Sequence, residues 1–120
     1  MQTPKILIVD DEMVHLDAII DVIEEITWNY EVFSAFNGKT ALEIAKKEMP
    51  DLIISDWEMP EMNGIELIKH LKSDTKTVDI PVIMCTGIMT TSENLETALN
   101  VGAGDYIRKP VDKRELVARI

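Results

Sequence analysis

Residues 51–64 read Asp51-Leu52-Ile53-Ile54-Ser55-Asp56-Trp57-Glu58-Met59-Pro60-Glu61-Met62-Asn63-Gly64. Leu52-Ile53-Ile54 is apolar without alternation. Such a run marks a strand covered on both faces, as in a parallel sheet lying between helices. Two more runs have this character, Ile6-Leu7-Ile8-Val9 and Val82-Ile83-Met84-Cys85, and each also ends on a polar group: Asp10 and Thr86. The candidate strands are Ile6–Asp10, Tyr30–Ala35, Leu52–Asp56, Pro81–Thr86 and Asp105–Lys109. Tyr30-Glu31-Val32-Phe33-Ser34 is more mixed, which suits an edge.

The intervening segments carry helical periodicity. Leu16, Ile19, Ile20, Ile23 and Ile26 make one apolar stripe, with Asp17, Asp21, Glu24 and Glu25 on the wet side. Ala41, Leu42, Ile44 and Ala45 follow the Asn37-Gly38 turn, and Ile65, Ile68 and Leu71 follow Gly64. Leu95, Ala98 and Leu99 follow Thr90-x-x-Glu93, a capping-box pattern, and Gly102 stops that helix. A last helix begins at Asp112-x-x-Glu115 and is still apolar-periodic at Ile120. Strands alternating with helices in this way predict an α/β fold, a doubly wound five-stranded parallel sheet with helices on both faces. Residues 1–120 form one domain, and the expectation is a fragment of a longer protein, cut within the last helix.

Composition narrows the function. Twelve Lys plus Arg stand against 22 Asp plus Glu, a formal charge of -10. That field repels phosphate backbones and anionic lipid, so no direct nucleic acid and no membrane partner is expected. Cys85 is the single cysteine, so no internal disulfide forms. Only four apolar residues separate Lys5 from Asp10, too few for a secretory core or a membrane span. A cytoplasmic location is expected.

In open α/β sheets, chemistry gathers beyond the carboxyl ends of the strands. Those ends here supply Asp10-Asp11, Asp56, Thr86 and Lys109: three carboxylates, a hydroxyl and an ammonium. Two carboxylates about 5 Å apart repel by roughly 3 kcal/mol at an effective dielectric near 20. A hard divalent cation compensates for this, and Mg2+ favours carboxylate oxygen together with water and phosphate oxygen. Capping of the first helix would account for one of Asp10 and Asp11, but not for a facing Asp56.

Taken together, Asp10-Asp11, the stretch from Asp56 to Gly64, Thr86-Gly87 and the stretch from Gly102 to Pro110 resemble the signature of response-regulator receiver domains, over essentially the whole chain. The resemblance implies the flavodoxin-like strand order 2-1-3-4-5. It implies a phosphorylation-dependent switch that takes a phosphoryl group from a histidine kinase or phosphotransfer domain onto Asp56, forming 4-aspartylphosphate. Asp10, Asp11, Asp56 and the backbone carbonyl of Glu58 would hold Mg2+. Lys109 and Thr86 would contact the phosphoryl oxygens, and Thr86 with Tyr106 would form the switch, passing the change to a downstream output domain or protein. Such a domain is no enzyme beyond its own phosphorylation and dephosphorylation. Gly87 departs from the alanine frequent after the switch threonine, and Glu58 occupies a position that tunes acyl-phosphate lifetime.

Other residues have plainer readings. His15 and His70 are expected to be solvated helix residues away from the strand-end cluster, and Cys85 an inert packing group. Ile88 and Met89, apolar in the loop after Thr86, are read as part of a partner-binding face. Three rival readings fit the chain less well. A dehalogenase-type aspartyl-phosphate phosphatase would need Asp-x-Asp and a cap, where this chain has Asp10-Asp11-Glu12. A flavin carrier would need a hydroxyl-rich phosphate loop after the first strand. A degenerate receiver acting only as a protein-binding module would lack the intact Asp56, Thr86 and Lys109 set.

Overall fold

The computed structural model describes residues 4–26, 30–57, 59, 61–86 and 105–108, and for Ile26, Thr86 and 105–108 the backbone only. In chain order the elements are β1 (Lys5–Val9), α1 (Met13–Ile26), β2 (Glu31–Ala35), α2 (Gly38–Glu48), β3 (Leu52–Asp56), α3 (Gly64–Lys72), β4 (Val82–Thr86) and β5 (Asp105–Arg108). The five strands form one parallel sheet in the order β2-β1-β3-β4-β5. The mixed strand β2 lies at an edge, as its composition predicts. The expected helices around Leu95 and after Asp112, and the loop bearing Ile88 and Met89, fall outside the described residues.

Both sheet faces are covered, which is why the central strands could not alternate. Ile6, Ile8, Ile54, Ile83 and Cys85 pack with Leu16, Ile19 and Ile23 of α1. Their neighbours along each strand, Leu7, Val9, Ile53, Val82 and Met84, point the other way. They meet Ala41 and Ala45 of α2 and Leu67, Ile68 and Leu71 of α3. Leu67, absent from the expected α3 stripe, is fully buried, whereas Ile65 is only partly so. Each fully buried Ile or Leu contributes on the order of 1.5–3 kcal/mol.

Helix ends aim the chain back into the sheet. Asn37 caps α2, its Oδ1 accepting the Thr40 N–H at 2.8 Å. Asn63 caps α3 by accepting the Glu66 N–H at 2.9 Å, while Glu66 Oε1 accepts the Asn63 N–H at 3.4 Å. This reciprocal pair satisfies two amides that the first turn would otherwise leave open. After α3, Lys72 Nζ donates to the carbonyls of Val78 and Ile80, both at 2.9 Å, and buried Thr77 donates Oγ1 to Leu71 O at 2.7 Å. These bonds tie down the turn that leads into β4.

At the other end of α2, Met49 has φ 50°, in the left-handed region, and is half-exposed. A side chain there costs about 1–2 kcal/mol, whereas glycine adopts the conformation freely but loses more chain entropy on folding. The expected outcome for Met49→Gly is therefore a net gain of about 0.5–1 kcal/mol, read as a higher urea midpoint at an unchanged slope. A lower midpoint would show that Met49's contacts outweigh its backbone strain.

Candidate functional site

The sheet register brings the acidic residues together. Val9 stands level with Ser55, and Ser55 with Met84. One step further on, Asp56 stands level with Cys85, and Asp10 follows Val9 as its chain leaves the ladder. Each acid lies two residues beyond an isoleucine of the α1-side core, Asp10 beyond Ile8 and Asp56 beyond Ile54. The stripe that is apolar through the body of the sheet thus turns acidic at its carboxyl end.

Asp10, Asp11 and Asp56 each offer a carboxylate oxygen within 4.8 Å of the others. Asp10 is 0% exposed and Asp56 6%, while Asp11 is open to solvent. An octahedral Mg2+ site with bonds near 2.1 Å spaces its oxygens about 3–4.2 Å apart. The cluster's oxygens already lie near that range, and its all-oxygen donor set suits a hard cation. The residues present therefore fit Mg2+.

Hydrogen bonds hold the segments that carry Asp10 and Asp56. The Asp10 N–H donates to Ala35 O at 3.1 Å, tying the acid to the end of β2. Asp10 Oδ1 accepts the Glu12 N–H at 2.9 Å, so this acid also serves the start of α1. On β3, buried Ser55 donates Oγ to the Asp56 carbonyl at 3.0 Å. Past the acid, Trp57 N–H donates to Cys85 O and Gly64 N–H to Trp57 O, each at 2.8 Å. Gly64 opens α3 directly against this turn: a Cβ there would lie 2.5 Å from the Asp56 carbonyl oxygen.

One expectation is overturned. His15 does not stand away from the cluster, because its Nδ1 lies 3.9 Å from Asp10 Oδ2 and 3.4 Å from Glu12 Oε2. It occupies the first turn of α1, whose start is anchored to Asp10 itself, so the imidazole falls beside the acids. His70, by contrast, is an exposed residue of α3, and Cys85 is buried as expected. Thr86 ends β4 with its backbone level with Arg108, the residue before Lys109, and Tyr106 is level with Met84. Glu58 and Lys109 lie outside the described residues.

Residues 6–120 match the family model described as the response regulator receiver domain. The chain belongs to the response-regulator receiver domain family. As a receiver domain it is a phosphorylation-dependent switch of two-component signalling and not an enzyme in the usual sense. It is 45% identical over 115 residues to the phosphate regulon transcriptional regulatory protein PhoB of Pseudomonas aeruginosa, covering 96% of this chain and 49% of that protein. Against the transcriptional regulatory protein CrdR of Helicobacter pylori the figures are 40%, 97% and 53%. This receiver domain thus spans about half the length of the curated relatives it matches.

Among solved structures, Vibrio cholerae chemotaxis protein CheY4 superposes with a TM-score of 0.89 at 30% identity, covering 98% of this chain and 96% of that one. The signal receiver domain of a Syntrophus aciditrophicus signal transduction histidine kinase gives 0.85 at 34%, covering 97% and 86%. Among the described residues of this receiver domain, no helix is long and apolar enough to cross a membrane.

Proposed function

We propose that Asp56 is the phosphoacceptor of this receiver domain, taking a phosphoryl group from a histidine kinase or phosphotransfer protein. The observation that supports this most strongly is the Asp10, Asp11 and Asp56 trio, with ligand oxygens within 4.8 Å and two of its members buried at the carboxyl end of the sheet. In the reaction the P–N bond of the donor's phosphohistidine breaks as a P–O bond forms to an Asp56 carboxylate oxygen. The departing imidazole keeps the electron pair and takes a proton from solvent. Burial of Asp56 keeps water from the acyl phosphate, and the Ser55 hydroxyl holds the backbone from which the nucleophile projects.

Asp10, Asp11, Asp56 and the Glu58 carbonyl would hold Mg2+, which when bound neutralises charge on the transferring group. Lys109 and Thr86 are the proposed donors to phosphoryl oxygens, supported by the backbone positions of Thr86 and Arg108 side by side at the sheet's end. Tyr106 on the neighbouring strand is the proposed partner of Thr86 in the switch. A cytoplasmic setting and a downstream output domain or protein complete the reading.

The test uses acetyl phosphate, a small donor that needs no partner protein. Intact mass should show one added phosphoryl group in the presence of Mg2+, with the label in the peptide containing Asp56. In excess EDTA the label should be absent. Equal labelling with and without the metal would remove the proposed role of the acidic trio.

A further inference from the structure

The chain holds two Asn-Gly pairs, Asn37-Gly38 and Asn63-Gly64, and each asparagine caps a helix. Asparagine before glycine has a reaction of its own. The glycine amide nitrogen can attack the side-chain Cγ, because no Cβ on the following residue stands in its way. A fold suppresses this attack by holding the nitrogen and the side chain apart, and here the two pairs are held differently.

Asn63 is held on both sides of the bond that would form. The Gly64 N–H donates to Trp57 O at 2.8 Å, which commits its nitrogen to the turn between β3 and α3. Asn63 Oδ1 accepts the Glu66 N–H at 2.9 Å, and Glu66 Oε1 accepts the Asn63 N–H at 3.4 Å. The side chain of Asn37 makes only the first kind of bond, Oδ1 accepting the Thr40 N–H at 2.8 Å. A return bond needs Glu or Gln at the third helical position, and α2 has Thr40 there, too short to reach back. Among the described residues, nothing accepts the Gly38 N–H. Phe36, Lys39 and Thr40 are exposed, so water reaches the segment.

We propose that Asn37 is a site of spontaneous deamidation in the folded chain, and that Asn63 is not. The Gly38 amide nitrogen, its proton taken by a base in solvent, bonds to Asn37 Cγ. The Cγ–Nδ2 bond breaks, and the nitrogen leaves as ammonia after taking a proton from solvent. Water then opens the cyclic imide. Opening at the side-chain carbonyl leaves aspartate, and opening at the main-chain carbonyl leaves isoaspartate. The net change is water in, ammonia out and one negative charge gained. Aspartate caps as well as asparagine, and its charge suits the positive end of α2. Isoaspartate routes the main chain through the side-chain carbons, which displaces the acceptor from Thr40 and lengthens the link between β2 and α2. That link starts at Ala35, whose carbonyl accepts the Asp10 N–H at 3.1 Å. The proposal stands whether or not Asp56 is the phosphoacceptor.

The experiment incubates the chain in mildly alkaline buffer, folded or unfolded in guanidinium chloride, and maps the products by peptide mass. Unfolded, both pairs should react at similar rates. Folded, Asn37 should convert roughly tenfold or more faster than Asn63, whose attack requires two further hydrogen bonds to open. Thr40→Glu, which completes the reciprocal cap, should slow Asn37 severalfold in the folded chain and leave the unfolded rate unchanged. Asn37→Asp should melt no lower than the wild type, and the isoaspartate form, isolated by ion exchange from aged protein, should melt lower. A folded chain inert at both pairs, or one that reacts equally at both or faster at Asn63, would overturn the proposal. An Asn37 rate that Thr40→Glu leaves unchanged would overturn the protection assigned to the cap.

Discussion

Asp56→Asn is expected to take up no phosphoryl group from acetyl phosphate under conditions where the wild type is labelled. An amide nitrogen or oxygen is a far weaker nucleophile than a carboxylate, and Asn forms no acyl phosphate of comparable stability. The substitution is nearly isosteric, so the 6% exposed site keeps its packing and the loss reports chemistry rather than unfolding. A second readout separates metal binding from phosphorylation. A cation that binds only the folded chain raises its stability in proportion to RT ln(1 + [L]/Kd). The wild-type melting temperature should therefore rise on adding Mg2+, and the rise should be smaller for Asp56→Asn, which offers one anionic ligand fewer beside Asp10 and Asp11. Undiminished labelling of the variant would move the acceptor to another residue. An undiminished thermal shift would take Asp56 out of the metal site.

The sheet was legible in the sequence because both of its faces are covered. Ile6 to Val9, Leu52 to Ile54 and Val82 to Cys85 have no polar side to hide, and helices alternating with such runs have few ways to pack. The acidic trio was legible for a related reason: in a parallel sheet every strand delivers its last residue to the same end. What escaped was set by contacts across elements. His15 reads as one more polar position on an amphipathic helix, and periodicity gives its side of the helix without the tilt of α1. Only because Asp10 anchors the start of that helix does the imidazole come within 3.9 Å of the carboxylate. Leu67 escapes a periodic stripe that runs through Ile65, because the helix is rotated so that Leu67 and Ile68 share the core. Glu61 is another case. Its φ of 67° lies in the left-handed region, a conformation dictated by the turn between β3 and α3 that nothing in the side chain announces.

Gly64 shows the same limit, and its replacement should be the most damaging single-methyl change near the site. In sequence it is a glycine at the start of a helix, where alanine would be preferred by roughly 1 kcal/mol. In the fold, a methyl group there would stand 2.5 Å from the Asp56 carbonyl oxygen, 2.5 Å from Met84 Cε and 3.1 Å from Trp57 Cα. The methionine end can swing away at small cost. The carbonyl cannot, because Ser55 Oγ holds it at 3.0 Å and the next residue is bonded to β4 through Trp57 N–H and Cys85 O. Relief requires α3 to shift outward, which stretches the 2.8 Å bond from Gly64 N–H to Trp57 O and opens the packing of Leu67 and Ile68. Overpacking against backbone costs about 3 kcal/mol, which outweighs the propensity gain. Gly64→Ala should therefore lose about 2 kcal/mol net, a fall in melting temperature of roughly 5–10 °C for a domain of this size. Labelling from acetyl phosphate should slow as well, since the shift is applied to the backbone of the acceptor. Gly38→Ala is the comparison: its methyl group would meet Met62 at 2.8–2.9 Å, in part a side chain, on an element without an acceptor residue. It should destabilise without a matching loss of labelling rate per folded molecule. If Gly64→Ala melts with the wild type and labels at the same rate, α3 is free to move at this junction, and the close fit between Gly64 and Asp56 does not position the nucleophile.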